Sequence, residues 1–263
     1  MSAGALNADA VRAALPPGRR NIRLEIHPEI DSTNTRARAL AEAGAAAGTA
    51  VLAEHQTAGR GRLGRSFYSP AATGLYLSVI LRPGGILPDT QPATVTAAVA
   101  VCRALEKALP GIRPQIKWVN DIFIGGRKVC GILAEGVCAR GEMQALVMGI
   151  GVNVSTAAFP PELQNTAAAL PGGETVDRNL LAVEIINTFL SLSDNNTDPA
   201  VRRETLAEYR RRSLALGREV SFTERGETVY ATAEDIDETG CLLVRRADGR
   251  RERLHSGEIS IKL

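Results

Sequence analysis

The sequence predicts an α+β fold, a sheet flanked by helices and followed by a small β-barrel. Three observations predict it. Between residues 22 and 154, strand-like runs alternate with two capped helical segments. Within that region Gln115–Ile124 and Arg127–Glu135 are joined by Gly125-Gly126, the signature of a hairpin with a type I′ or II′ turn. From Glu219 onward, short strands spaced by turns such as Glu224-Arg225-Gly226, Glu238-Thr239-Gly240 and Asp248-Gly249 replace helical periodicity, as in a small barrel. The change of character falls at residues 215–217, giving units 1–215 and 216–263.

Residues 1–21 read as a short Ala-rich helix ended by Pro16-Pro17-Gly18. Ile22–Ile26 alternates with period two, as a half-buried strand does. Asp31-Ser32-Thr33-Asn34-Thr35 collects N-cap residue types, and an Ala-rich helix is expected from Thr33 to about residue 47. Capping alone would use one of Ser32, Thr33 and Asn34; together they also offer hydroxyl and amide groups to a small ligand. Thr49–Glu54 and Leu75–Leu81 read as strands, with a turn expected over Arg82–Gly85. Asp89 or Thr90 then caps a helix to Leu109 that is apolar nearly all round and therefore buried. Gln144–Val154 is apolar on both faces until Asn153, which predicts a central strand. Two further helices follow, Arg178–Leu192 and Pro199–Leu214, the second with arginines solvated or paired with Glu204 and Glu208.

Composition excludes several classes. Lys+Arg 31 against Asp+Glu 29 leaves a formal charge of +2, so no global field points to nucleic acid or membrane, and a basic site must be local. Cys102, Cys130, Cys138 and Cys241 have no C-x-x-C spacing, and the histidines are scattered. This argues against a metal cage or disulfide framework and for reduced thiols in a cytoplasmic protein. No basic stretch followed by an apolar run opens the chain, so no signal peptide is expected. Nothing approaches the ~20 consecutive apolar residues of a membrane span.

Chemistry concentrates in two places. Between two predicted strands, Gly59-Arg60-Gly61-Arg62-Leu63-Gly64-Arg65 alternates mobile backbone with fixed positive charge. It formally matches G-x-G-x-x-G, and lies one residue from a P-loop. Those motifs need a helix directly behind the glycines, and Ser66–Gly74 holds Pro70 and no helical period. Two readings of the loop stand on its residues alone, a cradle for an anion or a solvated surface loop. In the hairpin, Lys117, Asn120, Asp121 and Lys128 punctuate strands that otherwise look buried, with Gly131 three residues on allowing close approach. Two lysines, an aspartate and an asparagine suit an anion with a divalent cation, or else a row of solvent-facing positions.

Taken together, five stretches resemble the catalytic module of biotin–protein ligases, in that family's order: DSTN (31–34), EHQTAGRGRLGR (54–65), KWVND (117–121), RKVCGILAE (127–135) and GIGVNV (149–154). The tail ending GEIS (257–260) is similar to the family's C-terminal SH3-like domain. The resemblance implies a mixed-sheet catalytic domain of the class II aminoacyl-tRNA synthetase/biotin ligase type. It implies ATP-dependent formation of biotinyl-5′-AMP, with Mg²⁺, then transfer of biotin to a lysine of the biotin carboxyl carrier protein of acetyl-CoA carboxylase or a related carboxylase. It places Ser32, Thr33, Asn34 and Gln56 on biotin's ureido ring. Gly59, Arg60, Gly61, Arg62 and Gly131 fall around biotin and its tail, and Lys128 on the carboxylate and α-phosphate. Arg62, Arg65, Phe67, Lys117, Asn120, Asp121, Lys128 and Asn153 fall on ATP, with no direct metal site, Mg²⁺ arriving with ATP near Asn120 and Asp121, and Lys128 and Arg62 as the catalytic cations. Val119 stands where the family usually has proline, and Phe67 where tryptophan is common. With residues 1–21 alone ahead of the first strand, no winged-helix domain and no DNA binding are expected, and the protein is expected to act as monomer or homodimer.

Two rivals make different predictions. A lipoate or octanoate ligase shares the catalytic fold but not the Gly/Arg loop with KWxND. A nucleic-acid-binding protein would use Arg60, Arg62 and Arg65 on phosphate, and would retain DNA or RNA in a salt-sensitive manner. The three glycines of 59–64 predict a loop that is mobile without ligand and orders with it. Limited proteolysis should therefore slow when biotin and ATP are added together; equal resistance with and without them counts against a lid.

Overall fold

The computed structural model describes residues 4–82, 90–255 and 257–261. In chain order the elements are α1 (Ala8–Ala14), β1 (Leu24–His27), α2 (Thr33–Glu42), β2 (Ala50–Ala53), β3 (Gly74–Leu81) and α3 (Thr90–Ala108). Then come β4 (Gln115–Lys117), β5 (Asp121–Ile124), β6 (Arg127–Ala139), β7 (Glu142–Asn153), α4 (Arg178–Asp194) and α5 (Pro199–Arg212). The chain ends in β8 (Glu219–Glu224), β9 (Glu227–Ile236), β10 (Leu242–Arg246), β11 (Arg251–Leu254) and β12 (Ser260–Ile261). Most of the turn expected after Arg82, and the cap residue Asp89, lie outside the described residues.

A seven-stranded sheet runs in the order β1-β2-β3-β7-β6-β5-β4. Only β1 and β2 are parallel, so the sheet is mixed, and β7 holds the central place its two-sided apolar pattern predicts. Pleating divides β7 by alternate residues. Leu146, Met148, Ile150 and Val152 point into the main core, which contains the buried residues of α3 and α4. Ala145 and Val147 point the other way, into a smaller cluster with Val51, Ile80, Val137 and the α2 residues Ala37, Leu40 and Ala41. The two faces therefore carry cores of unequal size, and the space beyond the smaller core is available for a site. Five antiparallel strands in the order β11-β10-β9-β8-β12 form the second sheet. No helix among the described residues is long and apolar enough to cross a membrane.

Two expectations need correction. Helix α2 stops at Glu42, well short of residue 47. Gly44 takes a left-handed φ of 86°, the Gly44 N–H donates to Ala41 O, and the Ala45 N–H donates to Leu40 O. This is a Schellman stop, and Arg82 adds guanidinium donors to the carbonyls of Ala41 and Ala45. Gln115–Ile124 is also not one strand. It breaks at Trp118–Asn120 into β4 and β5, which pair antiparallel with Lys117 opposite Asp121, and the Trp118–Val119 peptide is cis. The Gly125-Gly126 turn is as expected, with φ of 59° and 78° as a type I′ turn requires. On α5, Arg212 pairs with Glu208 as expected but also with Glu106 of α3, and so ties the two helices together.

One buried ion pair anchors the start of the chain. Arg178, fully buried at the head of α4, donates to both oxygens of Glu54 at 2.6 and 3.2 Å and to the carbonyls of Gly74 and Gly4 at 3.1 Å. Glu54 also accepts the Leu6 N–H. Removing Arg178 strands a carboxylate that is only 17% exposed, so Arg178→Ala should lose about 3 kcal/mol in urea unfolding. A loss under about 1 kcal/mol, the range of an exposed pair, would mean the charge is not truly buried.

Candidate active site

The chain between β2 and β3 crosses the sheet face that α2 leaves open. Its backbone is pinned at both ends: Thr57 and Ala58 N–H groups donate to Ile30 and Asp31 carbonyls, and Phe67 N–H to Gly59 O at 2.8 Å. Residues 66–70 carry no helix behind the glycines and reach β3 through a turn at 71–73, so neither phosphate-loop motif exists in three dimensions. Leu63, at φ 56°, stands 74% exposed at the loop's tip.

Beneath the loop lies a cavity of about 480 Å³. Its floor is paved with glycine. A Cβ at Gly149 would collide with the Asn34 amide, one at Gly151 would come within 2.5 Å of the Phe67 ring, and one at Gly131 within 3.2 Å of both Lys128 and Phe67. Cross-strand register puts Gly131 opposite Gly151, and Gly151 opposite Tyr76. The Phe67 ring meets Tyr76 edge-on at 6.4 Å. Burial pushes the Tyr76 hydroxyl's pKa up, so it stays a neutral donor, here to Pro70 O.

One end of the cavity presents neutral polar groups. Ser32 occupies the N-cap position of α2, yet its own side chain does not cap the helix. Gln56 does that work, its Oε1 accepting from Thr33 N–H at 2.8 Å and lying 3.1 Å from Thr33 Oγ1, while its Nε2 donates to Ser69. Ser32, Thr33 and Asn34 are thereby released from capping, and all three line the cavity with Gln56. The Ser78 hydroxyl, fully buried on β3, donates to Asn34 Oδ1 at 2.6 Å.

The other end is charged. Lys128 Nζ sits 2.7 Å from Asp121 Oδ1, an ion contact without an aligned hydrogen bond. Arg62 donates to Asn120 Oδ1 at 3.0 Å and to Gly257 O at 3.1 Å. Arg65 forms a two-pronged pair with Glu258, whose carboxyl the guanidinium holds below the usual range. Lys117 lies 6.0 Å from the centre of the Phe123 ring. Gly257 and Glu258 belong to the C-terminal unit, so that unit supplies part of the cavity wall. It is held there by the Asp237–Cys241 turn, where Gly240 O accepts from Trp118 Nε1 at 2.9 Å and Gln91 Nε2 at 2.7 Å.

A ligand filling this space would be elongated, with an uncharged hydrogen-bonding head and an anionic end. The matching sequence family is described as the biotin/lipoate A/B protein ligase family over residues 27–153, and as the biotin protein ligase C-terminal domain over 215–262. The bifunctional ligase/repressor BirA of Bacillus subtilis is 35% identical over 98% of this chain and 80% of its own. The chain belongs to the biotin/lipoate protein ligase family. The biotin–[acetyl-CoA-carboxylase] ligase of Mycobacterium tuberculosis is 32% identical over 90% of this chain and 88% of its own. In three dimensions the ligase is similar to the biotin protein ligase of Aquifex aeolicus in complex with biotin and ATP. The TM-score is 0.78 at 28% identity, covering 91% of this chain and 98% of that one.

Of the residues singled out in the sequence, most line the ligase's cavity: Ser32, Thr33, Asn34, Gln56, Arg60, Gly61, Arg62, Arg65, Phe67, Lys117, Asn120, Asp121, Lys128 and Gly131. Gly59 and Asn153 do not. Gly59 packs under the loop, where a Cβ would meet Phe67 O and Ser69 Oγ. Asn153 is buried and donates to Ala168 O at 3.3 Å, bracing the segment that follows β7. Ser78, Tyr76, Glu135 and Glu258 were missed; for the first three, alternation along β3 and β6 was the available signal. No group of three or more metal-ligating side chains occurs among the described residues.

The pavement can be tested directly. Gly149→Ala should cost about 1–3 kcal/mol of stability through overpacking against Asn34. Gly136→Ala on the neighbouring strand, whose methyl would meet the flexible end of Met143 at 3.3 Å and Cys138 Sγ at an ordinary 3.9 Å, should cost little. Equal losses in urea unfolding would show that Asn34 does not depend on the bare floor.

Proposed function

We propose that this ligase activates biotin with ATP and transfers it to a lysine of the biotin carboxyl carrier domain of acetyl-CoA carboxylase or a related carboxylase. The observation that carries this reading is one cavity joining an uncharged polar end at Thr33, Asn34 and Gln56 to a cationic end at Lys128 over a glycine floor. A ureido ring matches the first end, since it both donates and accepts without charge. A carboxylate matches the second.

In the first step a biotin carboxylate oxygen attacks the α-phosphorus of ATP, and the bond to the β-phosphate bridging oxygen breaks, giving biotinyl-5′-AMP and pyrophosphate. Carboxylate and polyphosphate repel, so the site must bring positive charge to both. Lys128 neutralises the carboxylate and then the negative charge that grows on the α-phosphate oxygens. Arg62 and Arg65 reach phosphate oxygens by releasing Asn120, the Gly257 carbonyl and Glu258. Asp121, with a buried oxygen free of any aligned hydrogen bond, would provide one oxygen to a Mg²⁺ ion held mainly by the phosphates, a cation that supplies Lewis-acid charge stabilisation when bound. In the second step the carrier lysine's neutral amine attacks the mixed anhydride's carbonyl carbon, AMP leaves, and an amide forms. The 59–65 loop protects the anhydride from water until then.

The deciding experiment supplies ATP, Mg²⁺, a biotin carrier domain and labelled biotin, lipoate or octanoate. Covalent labelling from biotin alone is expected, and labelling from lipoate or octanoate instead would overturn the reading. Lys128→Ala should reduce biotin-dependent ATP–pyrophosphate exchange by at least about 100-fold with its unfolding transition retained, as expected for a charge acting on the transition state. Exchange at the wild-type rate would remove Lys128 from the mechanism.

A further inference from the structure

Glu135 lies on β6 two strand positions beyond Leu133 and four beyond Gly131, on the same face of the sheet. Its side chain is 20% exposed and is divided between two partners. Oε2 accepts from Asn34 Nδ2 at 2.7 Å, and Oε1 accepts from Arg60 at 2.7 Å. One carboxylate thus binds the polar floor of the cavity and the loop that roofs it.

Its chemistry makes the contact directional. A carboxylate only accepts, so the Asn34 amide must turn its nitrogen toward Glu135. That leaves Oδ1 toward Ser78, whose hydroxyl donates to it at 2.6 Å and lies 2.8 Å from Thr33 Oγ1. Thr33 in turn meets Gln56 Oε1. Without Glu135 the amide could rotate by half a turn and present its donors and acceptor in exchanged places. A charged residue at this spot, beside a nearly buried asparagine, has no role in packing the small core under α2, whose members are all apolar.

We propose that Glu135 is a positioning residue for biotin activation. It fixes the Asn34 amide in the orientation that recognises biotin's ring, and through Arg60 it couples that recognition to closure of the 59–65 loop. The proposal rests on the biotin-activating reading above.

The test is ATP–pyrophosphate exchange titrated with biotin and, separately, with ATP, for the wild type, Glu135→Ala, Glu135→Gln and Arg60→Ala. Losing a charge-assisted hydrogen bond to Asn34 should raise KM for biotin in Glu135→Ala about tenfold or more, while KM for ATP moves less than about threefold. Glu135→Gln, which still has an oxygen to accept from Asn34, should recover most of the biotin KM. The Glu135→Ala/Arg60→Ala double variant should lose less than the product of the two single losses, because both single changes break one linkage. Thermal unfolding accompanies each assay. A lowered transition with unchanged KM for biotin in the folded fraction would mean a structural role and overturn the proposal. So would equal losses for biotin and ATP, or a double variant whose losses simply multiply. Absence of biotin-dependent exchange in the wild type would overturn the parent reading and this one together. Exchange in the wild type with an unaltered KM for biotin in Glu135→Ala would overturn this one alone.

Discussion

The structure depends on a constraint borne by one strand. β7 runs Met148-Gly149-Ile150-Gly151-Val152, and the pleat sends the three large residues into the main core while both glycines face the cavity. The apolar side secures the strand at the centre of the sheet, between β3 and β6. The bare side lets Asn34 approach the backbone at Gly149 and lets the Phe67 ring lie over Gly151. A side chain at either position would displace the residue that sits on it. Stability and access are therefore assigned to opposite faces of the same residues, which is how a strand buried in a sheet of this size can also floor a binding site.

The charges around the cavity follow a second logic. Each loop arginine already has an acceptor: Arg60 has Glu135, Arg62 has Asn120 and a carbonyl, and Arg65 has Glu258. Arg60 and Arg65 are at least half exposed, and such pairs contribute only about 0–1 kcal/mol. Exchanging them for a polyphosphate therefore costs little. The near-neutral net charge is consistent with this arrangement, in which cations needed for anion chemistry are balanced locally.

The C-terminal sheet takes part in the site as well as completing the fold. Gly240 accepts two hydrogen bonds from the catalytic unit, and its φ of 89° brings the backbone close to Val95, where a side chain would intrude. One of those donors is Trp118, within the turn that carries Asn120 and Asp121. The same sheet delivers the Gly257 carbonyl and Glu258 to the loop arginines. A domain that touches both the turn and the loop can set the distance between them.

Much of this was legible in the sequence, and the reasons differ by element. Periodicity revealed the helices and the central strand, because burial on one or two faces imprints directly on neighbouring residues. Gly125-Gly126 announced its turn because φ above zero at both positions nearly demands glycine. The break at Trp118–Asn120 was invisible, since it contains neither glycine nor proline and is held by contacts to Gly240 and Tyr209 that lie far along the chain. Helix α2 appeared too long because alanine favours helix, while Gly44 and the distant Arg82 stop it. By itself the sequence determined which chemical groups are present and in what local conformation: the glycine and arginine loop, the polar helix start, the lysine and aspartate of the hairpin. Only the tertiary structure decided which of them meet. Capping was taken over by Gln56, which freed Ser32, Thr33 and Asn34, and Glu135 and Glu258 were brought to the arginines from 75 and 193 residues away. Hydrogen bonds and charges act through space at about 3 Å, and no local pattern records that distance.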